Sequence, residues 1–339
     1  MRSSLVMTAS QRVLMAYVWG IYAFSIMLVL PTVVLSAPLY QNDFETDTAL
    51  SWTVNKGPAT TDEAHDFFFN YSNVGIPPAP HSGALGTRGM KLQANQSSGV
   101  FGGVSVSPTG ESFTGDYELQ FDWWSNFNGP APVGGSGSTQ LSTFGIGTSG
   151  TVAQWPGGVQ DSVWFGGTTD GNSSQDWRAY SPTAPTSYVA GTAISNPIFA
   201  APFVSGFDNR NQDHPYYATF GANAAPAAQT ALFPQQTGVT LVGSSPFEWH
   251  EVIIKNAGGL VTWTVDGTLI ATVPKGDDTV ATGNNIFFGH ADTNATSSTD
   301  VNDVNLLFTL IDNVRVVPEP SSLSLFALGL VALLPRWRR

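Results

Sequence analysis

The run from Phe247 to Val273 constrains this chain most. Glu248-Trp249-His250-Glu251-Val252-Ile253-Ile254-Lys255 is a strand-like run and Asn256-Ala257-Gly258-Gly259 is a turn. Leu260-Val261-Thr262-Trp263-Thr264-Val265 is a second run, Asp266-Gly267 supplies the positive φ values of a tight hairpin, and Thr268-Leu269-Ile270-Ala271-Thr272-Val273 is a third. Three antiparallel strands in a meander follow, and a meander needs a second layer to cover its apolar face.

The rest of the chain supplies strands in quantity. In Gly115-Asp116-Tyr117-Glu118-Leu119-Gln120-Phe121-Asp122-Trp123-Trp124, alternation places Tyr117, Leu119, Phe121 and Trp123 on one face and Glu118, Gln120 and Asp122 on the other. Further strands are expected at Phe67 to Tyr71, Met90 to Ala94, Val100 to Val106, Leu141 to Ile146, Ser162 to Phe165, Tyr216 to Phe220, Asn285 to Gly289 and Leu306 to Val316, with no amphipathic helix among them. The composition agrees: 35 Gly and 22 Pro, with 21 Phe, 10 Trp and 9 Tyr against 11% charged residues, suit aromatic-rich strands joined by turns. The stretch 169–236, rich in Ala, Pro, Ser, Asn and Gly, reads as a loop-rich insertion within one domain spanning 37–317.

The two ends differ from this middle. Arg2 and Arg12 precede an apolar run that closes on small residues near Ser36, the pattern of a signal peptide over residues 1–36, with an uncleaved anchor as the alternative. At the other end, Val317-Pro318-Glu319-Pro320 is followed by apolar Leu323 to Leu334 and by Arg336, Arg338 and Arg339. The apolar run is short for a full span, so transient membrane insertion is expected, with the arginines kept on the cytoplasmic side. This tail, over 318–339, resembles the PEP-CTERM sorting signal. The resemblance implies export to the cell envelope, outer surface or extracellular matrix, and an exosortase-type enzyme as a partner that processes the chain at Pro318, Glu319 and Pro320.

Charge and cysteine content exclude other classes. The chain has no Cys, so neither a disulfide nor a thiolate is available. Five of its 13 Lys+Arg are the terminal Arg2, Arg12, Arg336, Arg338 and Arg339, so the segment between the ends is more acidic than the net charge of −12 for the whole. Such a surface repels nucleic acid and suits neutral partners or divalent cations.

Asp43-Phe44-Glu45, Trp249-His250-Glu251-Val252 leading into Trp263-Thr264-Val265-Asp266-Gly267, and Leu310-Ile311-Asp312-Asn313-Val314-Arg315-Val316 together resemble the concanavalin-A-like, laminin-G-like jelly roll. A galactose-binding-like jelly roll shares many of these patterns. The expected fold is therefore all-β, a jelly-roll sandwich of two antiparallel sheets flanked by N-terminal and C-terminal hydrophobic segments. The resemblance further implies structural Ca2+ held by Asp43, Glu45 and Asp312, for which ordinary strand-end polarity is the competing role. The loop oxygen donors Asp292, Asn294, Asp300, Asn302 and Asp303 lack the fixed spacing of an EF-hand.

Relatives of this jelly roll include retaining glucanases, whose paired carboxylates lie about 5 Å apart. The nearest segment here, Glu118-Leu119-Gln120-Phe121-Asp122, has Gln120 in place of the central acid, and its end acids are roughly 13 Å apart along a strand. The five His are scattered without a zinc-binding pair, and no Gly-x-Ser-x-Gly elbow occurs. The reading is a non-enzyme: a binding or structural module for polysaccharide or extracellular matrix, with a divergent glycan-cleaving enzyme of the same fold as the alternative. Trp123, Trp124 and Trp177, with Gln120 beside them, are either core or a stacking platform for sugar rings.

Overall fold

Alternation of apolar and polar residues becomes strand wherever β-branched and aromatic side chains have a covered face to enter. The computed structural model describes residues 37–58, 62–83, 85–94, 100–134, 140–158, 161–169, 176–180, 187–188, 193–195, 215–274, 283–292 and 300–319. The signal peptide expected over 1–36 and the tail from Pro320 onward, with Arg336, Arg338 and Arg339, lie outside the described residues, as does Asn294.

Sixteen strands are described. In chain order they are β1 (Tyr40–Asn42), β2 (Trp52–Gly57), β3 (Ala64–Asn70), β4 (Arg88–Gln93), β5 (Gly103–Pro108), β6 (Tyr117–Asn126), β7 (Gln140–Thr148), β8 (Val163–Thr168), β9 (Trp177–Tyr180), β10 (Ser187–Tyr188), β11 (Ala193–Ser195), β12 (Trp249–Ala257), β13 (Leu260–Val265), β14 (Thr268–Pro274), β15 (Asn285–Asp292) and β16 (Phe308–Pro318). They form a nine-stranded sheet in the order β10-β14-β13-β12-β6-β16-β4-β3, with β1 also on β16, and a seven-stranded sheet in the order β11-β9-β8-β7-β15-β5-β2. All pairings are antiparallel except β9 with β11. The chain is thus an all-β, two-sheet sandwich of the jelly-roll class, and Pro38–Glu319 make one compact unit.

The meander expected at 248–273 is β12-β13-β14, with Val252 opposite Val265 and Trp263 opposite Ala271. Tyr216 to Phe220 is not a strand; Pro215–Tyr217 form a 3-10 turn instead, because Tyr217 and Phe220 enter the core one helical turn apart. Among the described residues there are two short helices, α1 (Ala227–Leu232) and α2 (Asp303–Leu306). Pro226 opens the first of them, and its Ala-rich run favours helix. It packs on the 3-10 turn Tyr71–Val74, where a Cβ on Gly75 would stand 2.3 Å from the Gln229 nitrogen.

Between the sheets lies one large core. Tyr117, Leu119, Phe121 and Trp123 of β6 meet Phe144, Phe165, Val252, Trp263, Phe288 and Ile311 there. A Cβ on Gly167 would come within 2.3 Å of the Trp123 ring, so glycine alone lets that indole lie flat against β8. A second, smaller core covers the other face of the nine-stranded sheet, where Trp124, Phe308 and Leu310 are capped by Tyr71, Ile76, Phe127 and Phe247. Trp123 and Trp124 are neighbours in sequence and therefore point to opposite faces, and both faces are dry.

Candidate functional site

Strand pairing aligns three acids on the outer face of the nine-stranded sheet. Asp122 of β6 stands opposite Glu251 of β12 on one side and Asp312 of β16 on the other. Acids in a row repel unless donors reach them. Here the donors come from the segment between Tyr71 and Arg88, which folds back over the sheet.

Asp122 accepts three hydrogen bonds. The His81 ring Nδ1 lies 2.7 Å from its Oδ1, while the His81 backbone N–H and the Asn313 amide donate to Oδ2 at 3.0 and 2.8 Å. Asp312 is likewise engaged: Tyr71 Oη and Ser82 Oγ donate to Oδ2 at 3.1 and 2.9 Å, and the Asn313 N–H donates to Oδ1 at 2.7 Å. Burial pushes the Asp312 carboxyl up to about 7 against these donors. The hydrogen bond to Asp122 holds His81 above the usual imidazole value despite partial burial, and its Nε2 faces Glu251 at 3.5 Å.

A β-bulge makes this arrangement possible. Between the pairs Asp312–Asp122 and Arg315–Gln120, β16 carries one residue more than β6. The extra residue lets Ile311 and Val314 both enter the core, although strict alternation would send one of them outward. Asn313 takes φ of 52°, a left-handed value that Asn tolerates, and aims its amide at Asp122 and Ser82.

His81 and Asn313 form one wall of an open cavity of about 720 Å³, whose other walls include Tyr40, Asn42, Asp43, Glu111 and Arg315. Tyr40 is held from behind by edge contacts with Trp52 and Phe113. The cavity therefore combines one fixed aromatic ring with both signs of charge and several amides and hydroxyls. The His81 ring is engaged by Asp122, and the Ser82 hydroxyl beside it by Asp312.

The residues singled out in the sequence fall into place as follows. Asp43 lines the cavity and its Oδ1 accepts the Glu45 N–H at 3.2 Å. Glu45 Oε1 accepts the N–H groups of Thr87 and Arg88 at 2.8 and 3.0 Å. Glu45 and Asp312 thus act as acceptors that fasten the 71–88 segment, while the bond described for Asp43 stays within its own turn. Among the described residues no group of three or more His, Asp or Glu is assembled to hold a metal. The stacking platform is corrected outright: Trp123, Trp124 and Trp177 are all buried, and the last donates its indole N–H to the Gly243 carbonyl at 2.6 Å. Gln120 is half-buried on the outer face and donates to Glu118 at 2.8 Å. Asp122, expected on a solvated face, is fully buried. His81 was missed, and the Pro77-Pro78-Ala79-Pro80 run before it was the available signal for a stiff segment laid across the sheet.

The start of the tail is itself part of the sheet. Pro318 pairs with Tyr117, and the Glu319 N–H donates to the Asp116 carbonyl at 3.1 Å. Lys255 Nζ bridges Glu319 at 2.6 Å and Glu118 at 3.3 Å. The hydrogen bond between the two acids pushes the Glu319 carboxyl up.

No curated protein matches the chain. Solved structures similar to it include a protein with galectin-like fold from Bacillus subtilis (8% identity, 84% of this chain and 99% of that one, TM-score 0.38). The Emp47p carbohydrate recognition domain (9%, 86% and 100%, 0.42) and a laminarinase from Flavobacterium sp. UMI-01 (9%, 83% and 100%, 0.40) are two others. Residues 316–339 match the PEP-CTERM protein-sorting motif, so the strand that closes the nine-stranded sheet runs directly into that motif, and the chain carries a PEP-CTERM sorting tail.

Proposed function

We propose that this is an exported envelope protein whose sandwich is a non-catalytic module binding a segment of neutral polysaccharide in the cavity beside His81 and Asn313. The observation that carries the reading is the wall chemistry: hydroxyl-rich ligands need convergent polar groups fixed in place and one apolar ring face, and Tyr40, Asn42, Glu111, His81, Asn313 and Arg315 provide both. The acidic surface disfavours polyanions. The sorting tail supports export and retention, with an exosortase-type enzyme as processing partner.

Screening the exported protein against neutral glycans, followed by calorimetric titration, tests this. Arg315 is exposed, so Arg315→Ala leaves the fold intact and is expected to weaken glycan binding about 10- to 100-fold, as loss of a hydrogen bond to a charged group does. Binding unchanged in Arg315→Ala and Glu111→Gln would remove the cavity from the reading. Release of reducing ends, abolished by Asp122→Asn, would establish the glycan-cleaving alternative.

The seated tail motif gives a further expectation. Lys255→Met leaves Glu118 and Glu319 facing each other without the cation between them, so the end of β16 frays. The stability cost is small, about 1 kcal/mol, since the bridge is partly exposed. In the native host, pulse-chase electrophoresis is expected to show faster loss of the tail in this variant. A slower or unchanged rate would mean that the processing enzyme reads the motif as seated.

A further inference from the structure

We infer that the cavity is one end of a track for an extended, neutral β-glycan chain with equatorial linkages, and that the track crosses the outer face of the nine-stranded sheet at one residue per strand. The inference rests on the glycan reading of the cavity. Register defines the row. Gln41 of β1 pairs with Arg315 of β16, Arg315 with Gln120 of β6, Gln120 with Ile253 of β12, Ile253 with Thr264 of β13 and Thr264 with Leu269 of β14. Paired residues point to the same face. Each of these six is half-buried or exposed, while Val314, Leu119, Ile254 and Trp263 beside them in the strands enter the core. Gln41 and Arg315 also line the cavity, so the row begins inside the site already described.

The chemistry of the row differs from that of its flanks. Asp122 and Glu251 stand along the strands on one side of it, and Glu118 and Lys255 on the other. The row itself carries no acid, in a chain of net charge −12, and Arg315 is its one charge. A strip from which acids are kept suits a neutral, hydroxyl-rich partner. Ile253 and Leu269 offer apolar surface to the C–H faces of sugar rings, and Gln120 and Thr264 offer hydrogen-bonding groups between them. Gln120 spends its Nε2 on Glu118 Oε2 at 2.8 Å, so Oε1 is the atom left to accept a hydroxyl. At the far end Tyr216 is 39% exposed and its Oη donates to the Leu269 carbonyl at 2.7 Å, which fixes an aromatic ring there as Tyr40 is fixed in the cavity.

Shape selects the kind of chain. Neighbouring strands lie about 4.8 Å apart, so a row across six of them spans roughly 24 Å. A cellulose-type chain advances by a similar length per ring and stays straight, so successive rings meet successive strands. An amylose-type chain coils and leaves a straight row after the first rings.

Calorimetric titration of the exported protein with cellobiose and cellohexaose tests the track. The wild type is expected to bind cellohexaose about tenfold more tightly than cellobiose, the gain that one or two further net hydrogen bonds supply, and to show no such gain for maltohexaose over maltose. Thr264→Glu and Ile253→Glu place an acid in the row outside the cavity. Each is expected to bring cellohexaose down to the affinity of cellobiose while cellobiose binding stays as in the wild type. Should either fail to fold, Leu269→Glu at the exposed end of the row and the wild-type length dependence decide. Equal affinity for the two lengths, or full cellohexaose affinity in the variants, overturns the track and leaves the cavity standing. Loss of all neutral-glycan binding, in the screen as well as here, overturns both. Sedimentation of wild type and Ile253→Glu covers the remaining occupant: a dimer that the substitution dissolves would assign this face to a second copy of the chain and overturn the track.

Discussion

Trp263→Ala is expected to abolish the cooperative unfolding transition of this domain at room temperature or leave it barely folded. Trp263 has no exposed surface and joins both sheets: it stacks on Phe165 at 5.1 Å, meets Phe144 edge-on at 5.7 Å and touches Trp177 at 5.8 Å. Truncating such a side chain costs about 3–5 kcal/mol, because the rigid aromatic neighbours cannot collapse into the void. A domain is stable by about 5–15 kcal/mol, and this one has no disulfide to restrict its unfolded chain. Urea titration followed by fluorescence and circular dichroism measures the loss. Trp263→Phe is expected to recover most of it, and an alanine variant within about 1 kcal/mol of wild type would mean that the two sheets are not held together at this point.

The second large effect is on the pH dependence of stability. Asp312 keeps its proton up to about 7 in the folded state against 3.8 for a free carboxyl. Between those values the folded chain holds a proton that the unfolded chain has lost, so stability falls as pH rises. The full span corresponds to about 4 kcal/mol. Asp312→Asn cannot titrate, so its stability relative to wild type is expected to improve by up to that amount between pH 4 and pH 8. His290 has the opposite sign: burial holds its pKa down to about 3 from 6.5, so its contribution is complete above pH 6.5 and is lost as pH falls through that window. His290→Gln is therefore expected to gain on wild type by about 3 kcal/mol on going from pH 6.5 to pH 4. Denaturant midpoints at each pH, in chelator, give both differences. Parallel curves for Asp312→Asn and wild type would show that the acid ionises normally inside the fold.

Most of the sandwich was legible because alternation and turn chemistry act locally. Asp266-Gly267 and the runs beside it gave β13 and β14 to within a residue, and Tyr117 to Trp123 gave the core face of β6. Alternation states that two faces differ, but not what covers the second. That is why Trp124 and Asp122 looked accessible, although Tyr71, Ile76 and the 75–87 segment lie over them. The cavity was partly legible, since Asp43 and the Asp312-Asn313 pair were marked. The bulge was not, because the sequence spacing from Ile311 to Val314 has no meaning until β6 fixes a register.

The place of β16 has a bearing on how such a chain crosses a membrane. This strand is the last of those described, yet it sits in the middle of its sheet, between β6 and β4, with β1 added along it. Vectorial export delivers β4 and β6 to the far side first, and each must wait with an open edge until residues 308–318 emerge. Contacts that span most of the chain form slowly, and open edges invite pairing with other molecules in the interval. The sorting motif follows this strand immediately, so the one segment that closes the sheet is also the segment that leads into the motif, and it is among the last parts of the chain to reach the far side.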